Sequence, residues 1–242
     1  MPASLKQVGK VQFELLTSKT LLSMSTVSVT SPVFYSQYPE QQVGGLLDLH
    51  LGMSSKNGVC ASCGLDVDRC PGHFGHIQLE LPVIHPGYIK QVQQILKNVC
   101  WNCSRYVGED AKVCKYCQEK CQSSYTVDND RVLLTPVTIK QIFERIPSTD
   151  LKYLKNIIRN NRPEALIIQT FPVPPSCIRP SVRSSMDPKK SNEDELSMSL
   201  SQILFLNLQL KDCLYMGKEK MLMIWLQLQN EVCKFIGVDQ IK

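Results

Sequence analysis

The sequence predicts an α+β fold, helix-rich with a few short strands, and three observations carry that prediction. Ile77-Gln-Leu79-Glu-Leu81-Pro-Val83 alternates apolar and polar residues with period two, the pattern of a half-buried strand. The run after it, and most of the chain beyond residue 126, repeats apolar residues every three or four positions, as an amphipathic helix does. Between them, eight of the eleven cysteines crowd into residues 60–121, mostly as C-x-x-C pairs, which predicts short ribbon-like loops.

The elements follow in order. Val11-Gln-Phe13-Glu-Leu15 reads as a short strand, and the Ser/Thr-rich sequence after it as a helix or loop. Gly44 to Gly52 is a turn-rich approach to the first cysteine group. After the strand at 77–83, Pro86-Gly87 opens a helix with Tyr88, Ile89, Val92, Ile95, Leu96 and Val99 on one face, which delivers the chain to Cys100. Ile139, Ile142, Phe143 and Ile146 are spaced for one helix, and Leu151, Leu154, Ile157 and Ile158 for another. Phe171 to Pro180 holds four prolines, which fix φ and remove donors, so it reads as extended. Ser184 to Asn192 reads as a polar, mobile loop. Asn192 and Glu195 have capping-box spacing ahead of a helix carrying Leu196, Leu200, Ile203, Leu204 and Leu208. Lys218 to Phe235 is a last, Met- and Leu-rich helix whose Met221–Leu226 stretch reads as a packing face. Three segments result: 1–59, a strand and loop; 60–125, the cysteine-rich head; and 126–242, a helical remainder.

Composition narrows the function classes. The 242 residues are 43% hydrophobic and 20% charged, with a net charge of +5, the balance of a globular protein that is only mildly basic. No secretory leader pattern opens the chain, and no apolar run is long enough to span a bilayer. A soluble intracellular protein with no membrane partner is therefore expected, and in a reducing compartment such cysteines favour metal over disulfides.

Two constellations have metal-ligand spacing. Cys60-x2-Cys63-x6-Cys70-x2-His73 supplies three sulfurs and an imidazole, with Pro71-Gly72 turning the second hook. Cys100-x2-Cys103-x10-Cys114-x2-Cys117 supplies four sulfurs. Each set fills a tetrahedron and leaves no position for water or substrate, which marks a structural zinc ion rather than a catalytic one. His76 is an alternative to His73, and Cys121 to Cys117. The scattered Cys177, Cys213 and Cys233 read as buried small hydrophobes. A thioredoxin-like pair would need a βαβ context, and a zinc deaminase an H-x-E element; neither is present.

Residues 140–162 carry Lys140, Arg145, Lys152, Lys155, Arg159 and Arg162 against Glu144 and Asp150. Of these, Arg145, Lys152, Lys155 and Arg159 are candidate phosphate contacts for nucleic acid, beside the equally available reading of a solvated helix face. Arg179 and Arg183, flanking the proline-rich turn, face the same choice. Aromatic residues are sparse in that stretch, so base stacking is not argued from sequence.

The wording of the motifs carries further. Cys70-Pro-Gly-His-Phe-Gly-His-Ile77 and Glu80-Leu-Pro-Val-Ile-His-Pro-Gly-Tyr-Ile89 resemble the amino-terminal clamp of the largest subunit of multisubunit DNA-directed RNA polymerases. Lys10-Val-Gln-Phe13, Tyr38-Pro-Glu40, Gly44-Gly-Leu-Leu-Asp48, Leu134-Thr-Pro136, Ile142-Phe-Glu-Arg-Ile146, Phe171–Val182, Asn192-Glu-Asp-Glu-Leu196 and Ile203-Leu-Phe-Leu-Asn207 follow in family order. Cys177-Ile-Arg-Pro-Ser-Val182 and the NEDEL…FLN wording are most similar to RNA polymerase III; the GHFGHI wording is shared with polymerase II. The resemblance implies a zinc-stabilised clamp core, the eight zinc ligands above, a nuclear location, and as partners the other polymerase subunits, template DNA and the RNA–DNA hybrid. Relatives carry a longer insertion between the C-x-x-C pairs of the second set. The family's magnesium-binding N-A-D-F-D-G-D loop does not occur in these residues, so the resemblance implies nucleotidyltransferase activity only within a complex, with no catalytic residue here. The competing class is a free-standing zinc adaptor that binds protein partners.

Overall fold

A computed structural model describes residues 9–11, 14–37, 40–53, 58–109, 111–121, 134–158, 161–183, 191–213 and 217–237. Its elements run α1 (Ser18–Met24), β1 (Val27–Ser28), β2 (Tyr35–Gln37), β3 (Glu40–Gln41), β4 (Gly75–Ile84), α2 (Ile89–Asn98), α3 (Pro136–Glu144), α4 (Leu151–Ile158), β5 (Ile167–Val173), β6 (Val182–Arg183), β7 (Ser191–Asn192), α5 (Glu195–Cys213) and α6 (Lys218–Ile236), with short 3-10 turns between. Runs of strands and runs of helices therefore follow one another in an α+β arrangement. Among the described residues, no helix is long and apolar enough to cross a membrane.

The expected strand at 77–83 is the middle of a three-stranded sheet. Parallel β1 lies on one side of β4 and antiparallel β5 on the other. The sheet thus joins all three sequence segments. β5 itself was not legible in the sequence, because Pro172 sits inside it; the strand lies at the sheet edge, where a missing N–H is tolerated. Pro82 has a comparable effect in β4: the β4–β5 register shifts between Gln78 and Val83.

The other edge of β4 is completed by helices. β1 covers only its start, where Val29 N–H donates to His76 O at 2.8 Å. Further along, Asn207 of α5 donates to Gln78 O (2.9 Å) and accepts from Glu80 N–H (2.8 Å). Trp225 Nε1 of α6 donates to Pro82 O (3.0 Å), and Gln229 takes both backbone groups of Ile84, at 2.8 and 2.9 Å. Asn207 and Gln229 are buried, so these bonds pair strand groups that water does not reach. They also explain two amides on otherwise apolar helix faces.

Two apolar clusters result. One packs Ile77, Leu79, Val83, Phe171 and Val173 of the sheet against Leu200, Ile203, Leu204 and Leu210 of α5 and Leu228 and Val232 of α6. The other joins Val92, Ile95 and Leu96 of α2, Ile139, Ile142 and Phe143 of α3, and Leu154 and Ile158 of α4. The predicted faces of α2, α3 and α4 are the buried ones.

Helix starts follow local chemistry. Thr17 and Thr135 accept from the N–H groups of Thr20 and Thr138, and Pro136 takes the first turn of α3, where its missing N–H costs nothing. The capping box expected at Asn192 and Glu195 is not the observed cap. Asn192 lies in β7, Glu195 opens α5, and the Asp194 carboxylate accepts from Leu196 N–H at 2.9 Å. Asn192 is thus a strand residue rather than the end of a loop, and Ser184 to Lys190 lie outside the described residues. Of the expected first strand, Gln12 and Phe13 lie outside them too, and Glu14–Leu16 form no strand. Tyr38 and Pro39 also lie outside. On α6, Ile224 faces the core while Met223 and Leu226 remain exposed.

Arg179 corrects another expectation. It is fully buried rather than offered to a phosphate. Its guanidinium donates to Pro174 O (3.0 Å), Leu46 O (2.9 Å) and Ser197 Oγ (2.8 Å), tying together the turn before the first cysteine group, the end of β5 and the start of α5. Burial pulls its pKa down to about 10, still protonated at neutral pH. The side chain of Arg183 is outside the described structure.

Candidate metal centres

The two cysteine-rich sets each converge. Sγ of Cys60, Cys63 and Cys70 and a ring nitrogen of His73 lie within 4.8 Å of one another, as do the four sulfurs of Cys100, Cys103, Cys114 and Cys117. Sulfur–sulfur distances are 3.6 Å for Cys63–Cys70, 3.6 Å for Cys100–Cys117 and 3.5 Å for Cys103–Cys114, and Cys70 Sγ lies 3.7 Å from His73 Nε2. Zinc bound to sulfur at about 2.3 Å in a tetrahedron places neighbouring sulfurs about 3.8 Å apart. Both donor sets fit that geometry.

One backbone device recurs at three of the four hooks. In Cys60–Leu65, Cys100–Arg105 and Cys114–Glu119, the first cysteine's N–H donates to the carbonyl five residues on, at 2.8, 2.9 and 2.8 Å. Its carbonyl accepts from the fifth position of the hook, Gly64, Ser104 or Gln118, at 2.8, 2.8 and 3.0 Å. That position is left-handed each time, with φ of +70°, +58° and +62°. N–H groups of Ser62 and Tyr116 point back at the first sulfur of their hooks, both at 3.4 Å. Thiolates accept such bonds well, so the turn favours the ligating form.

The fourth hook, Cys70–His73, uses Pro71-Gly72 instead. Gly72 has φ +77°, and a Cβ there would meet Pro175 Cβ at 2.6 Å and Cys177 Sγ at 2.7 Å. Only glycine fits against the turn after β5. The 3-10 turn Leu49–Leu51 braces this set from the other side: Leu51 O accepts from His73 N–H (3.1 Å), and Leu49 O from Ala61 N–H (3.2 Å). Asp48 anchors that turn, accepting from Gly44 N–H (2.6 Å), His50 N–H (2.9 Å) and the His50 ring (2.7 Å). Burial alone would raise its pKa, but the His50 and Gly44 amides and the His50 ring outweigh it and hold the carboxyl below its ordinary value.

The second set hangs from α2. Val107 N–H donates to Asn98 O (2.9 Å), Trp101 Nε1 to Leu96 O (2.9 Å), and Tyr106 N–H to Asp150 Oδ2 just before α4 (3.1 Å). Burial and the neighbouring sulfurs push Cys103 up to about 12. Cys114 is raised by burial, but the Cys117 and Tyr116 amides outweigh that and hold it at about 7. Four sulfurs this close ionise together only around a cation.

The alternates go elsewhere. His76 Nδ1 lies 2.7 Å from Ser25 Oγ in the sheet, and Cys121 is not among the four converging sulfurs. Cys213 and Cys233 are buried as expected. Cys177 is exposed, because the turn around it faces outward over Gly72.

The sequence matches the family described as RNA polymerase Rpb1, domain 1, over residues 5–126 and 111–240. The chain belongs to that family. It is similar to DNA-directed RNA polymerase subunit Rpo1N of Methanocaldococcus jannaschii, 30% identical over 271 residues covering 94% of this chain and 20% of that protein. The Rpo1N of Thermoplasma acidophilum is 28% identical over 277 residues, 95% of this chain and 31% of that protein. DNA-directed RNA polymerase III subunit RPC1 of Giardia intestinalis is 26% identical over 351 residues, 94% of this chain and 20% of that protein. The chain thus spans between a fifth and a third of the length of these relatives.

The basic candidates of this Rpb1-family chain lie outside both sets of metal ligands in the sequence. Arg145 caps α3, with Nε donating to Gln141 O at 3.1 Å, and Lys152 and Lys155 are exposed on α4. Arg159 lies outside the described residues. Sequence reasoning missed the aromatic residues at and near Lys152. Tyr106 stacks on Tyr153 with centroids 4.8 Å apart, Lys152 lies 4.9 Å over the Tyr153 ring, and Arg105 lies 5.1 Å over Tyr116. Tyr106 and Tyr116 belong to the second metal set and Tyr153 to α4, so no local pattern announces the group.

Proposed function

We propose that the chain is the clamp region of the largest subunit of a DNA-directed RNA polymerase, of the third nuclear type, working in the nucleus. In this reading each converging set holds one structural zinc ion. The observation that carries it is the pair of closed donor sets, one of three sulfurs and an imidazole nitrogen and one of four sulfurs, in a chain of the Rpb1 domain 1 family. The type III assignment draws on the Cys177–Val182 and NEDEL wording and on the similarity to the Giardia subunit.

The mechanism is mechanical. Zinc at Cys60, Cys63, Cys70 and His73 fixes one end of β4 against the turns at residues 49–51 and 175–177. Zinc at Cys100, Cys103, Cys114 and Cys117 fixes the loops at the end of α2. Because β4 runs into α2, the two ions stiffen one continuous strand–helix lever. That lever moves as one body over the nucleic acid, holding template DNA and the RNA–DNA hybrid, and docks against the other subunits. The 60–125 head, the 1–59 segment and the 126–242 helical remainder are parts of that body. Magnesium and nucleotidyl transfer belong to the N-A-D-F-D-G-D loop that this sequence does not contain, so the chain alone is inactive.

Arg145, Lys152, Lys155 and Arg159 contribute phosphate contacts. Reversing Arg145, Lys152 and Lys155 to Glu is expected to reduce the slope of log affinity against log salt for duplex DNA by about three, one for each cation removed from a phosphate. An unaltered slope, measured by fluorescence anisotropy, would remove these residues from the interface.

A further inference from the structure

We propose that the surface formed by Tyr116, Arg105, Lys152 and Tyr153 binds single-stranded nucleic acid by stacking bases on the two exposed tyrosines. This rests on the polymerase reading above and assigns that basic face a ligand form. Tyr116 and Tyr153 are 60% and 53% exposed, so their rings are open to a ligand. Each carries a cation over its ring, at 5.1 and 4.9 Å, and Tyr153 is backed by Tyr106 in a parallel stack at 18°. The ring positions are held from beneath. Asp150, buried, accepts from Tyr106 N–H at 3.1 Å and lies 3.6 Å from Arg105 Nη1, fastening the second metal set to the start of α4.

Asp150 is turned inward, so its charge does not oppose a phosphate at the surface. Supported aromatic rings interleaved with cations match the way single strands are bound: bases stack on rings while phosphates follow Lys and Arg. Tyr116 offers the face opposite Arg105. Tyr153 offers its ring once the Lys152 ammonium, on its flexible stem, moves to a phosphate; Lys155 extends the positive track along α4. A duplex keeps its base faces stacked internally and gains only the phosphate contacts.

The test uses the full zinc-loaded chain and a labelled oligothymidine of about 12 nucleotides, within the span of one such module. Tyr116→Ala and Tyr153→Ala are each expected to weaken single-strand binding about tenfold while leaving duplex binding and the salt slope unchanged. Tyr116→Phe keeps the ring and is expected to bind as the parent does. Bound zinc and circular dichroism of each variant establish that the fold is retained. Single-strand affinity that ignores both alanine variants yet falls on Lys152→Glu and Lys155→Glu would overturn the stacking surface while leaving the phosphate reading intact. Absence of single-strand binding by the parent chain beside normal duplex binding would overturn it as well. So would a polyglutamate peptide that displaces the oligonucleotide as effectively as unlabelled DNA, since that marks a surface for acidic protein segments.

Discussion

Replacing Cys114 with serine is expected to loosen the head at residues 100–121 while the sheet and α5–α6 stay folded. Cys114 is fully buried, and its sulfur lies 3.5 Å from Cys103 Sγ at the centre of the second set. Losing one of four ligands removes most of the affinity of a structural zinc, whose apparent binding energy in small domains is about 10 kcal/mol or more. Beyond Trp101 and Tyr106, which pack against the α2–α4 cluster, the region has little apolar support of its own. Among the described residues its loops are otherwise tied by local turn bonds, the isolated bridges Val99–Tyr106 and Val113–Lys120, the Tyr106–Tyr153 stack, and bonds to α2 and Asp150. The sheet and α5–α6 have their own apolar cluster. Hydrogen exchange should therefore show protection lost between residues 100 and 121 and kept across β4, β5, α5 and α6. Cys177→Ser, a matching change at an exposed thiol outside both sets, should alter stability by no more than about 0.5 kcal/mol. Equal protection of residues 100–121 in parent and Cys114→Ser would show that metal does not hold these loops.

Arg179→Met should produce the second large effect, of a different kind. The substitution keeps much of the side chain's volume but leaves Leu46 O, Pro174 O and Ser197 Oγ without their buried donors. Three orphaned acceptors at about 1–3 kcal/mol each, offset in part by relief of a desolvated charge, give a loss on the order of 3–5 kcal/mol. In a chain of this size that lowers Tm by on the order of 10 °C. The loss should be global, because the guanidinium ties three distant segments of the same core, and zinc content should not change until the chain unfolds. A Tm within about 2 °C of the parent would mean that the pocket closes over the missing donors at little cost.

These two residues mark what the sequence discloses and what it conceals. The metal sets were legible because a C-x-x-C hook is a local device: the spacing that identifies it also builds the turn. β4 and α2 were legible because their apolar period is local too. Arg179 was not, since its three acceptors lie at residues 46, 174 and 197, and a sequence offers no sign that an arginine faces inward. Burial of Asn207 and Gln229 is concealed for the same reason: their partners are on β4, more than a hundred residues earlier. β5 was hidden by Pro172, which argues against a strand until an edge position excuses it. The choice of His73 over His76 follows from β4 beginning at Gly75, which carries His76 into the sheet beside Ser25. The tyrosine group needed Asp150 to bring α4 to the second metal set.

The proposal that zinc staples the strand–helix lever is tested most directly by counting the metal. Elemental analysis of the purified chain, after dialysis against metal-free buffer, should give two equivalents of zinc per polypeptide, and one for Cys114→Ser. A parent chain that holds well under one equivalent, yet melts at the same temperature with and without a chelator, would contradict it.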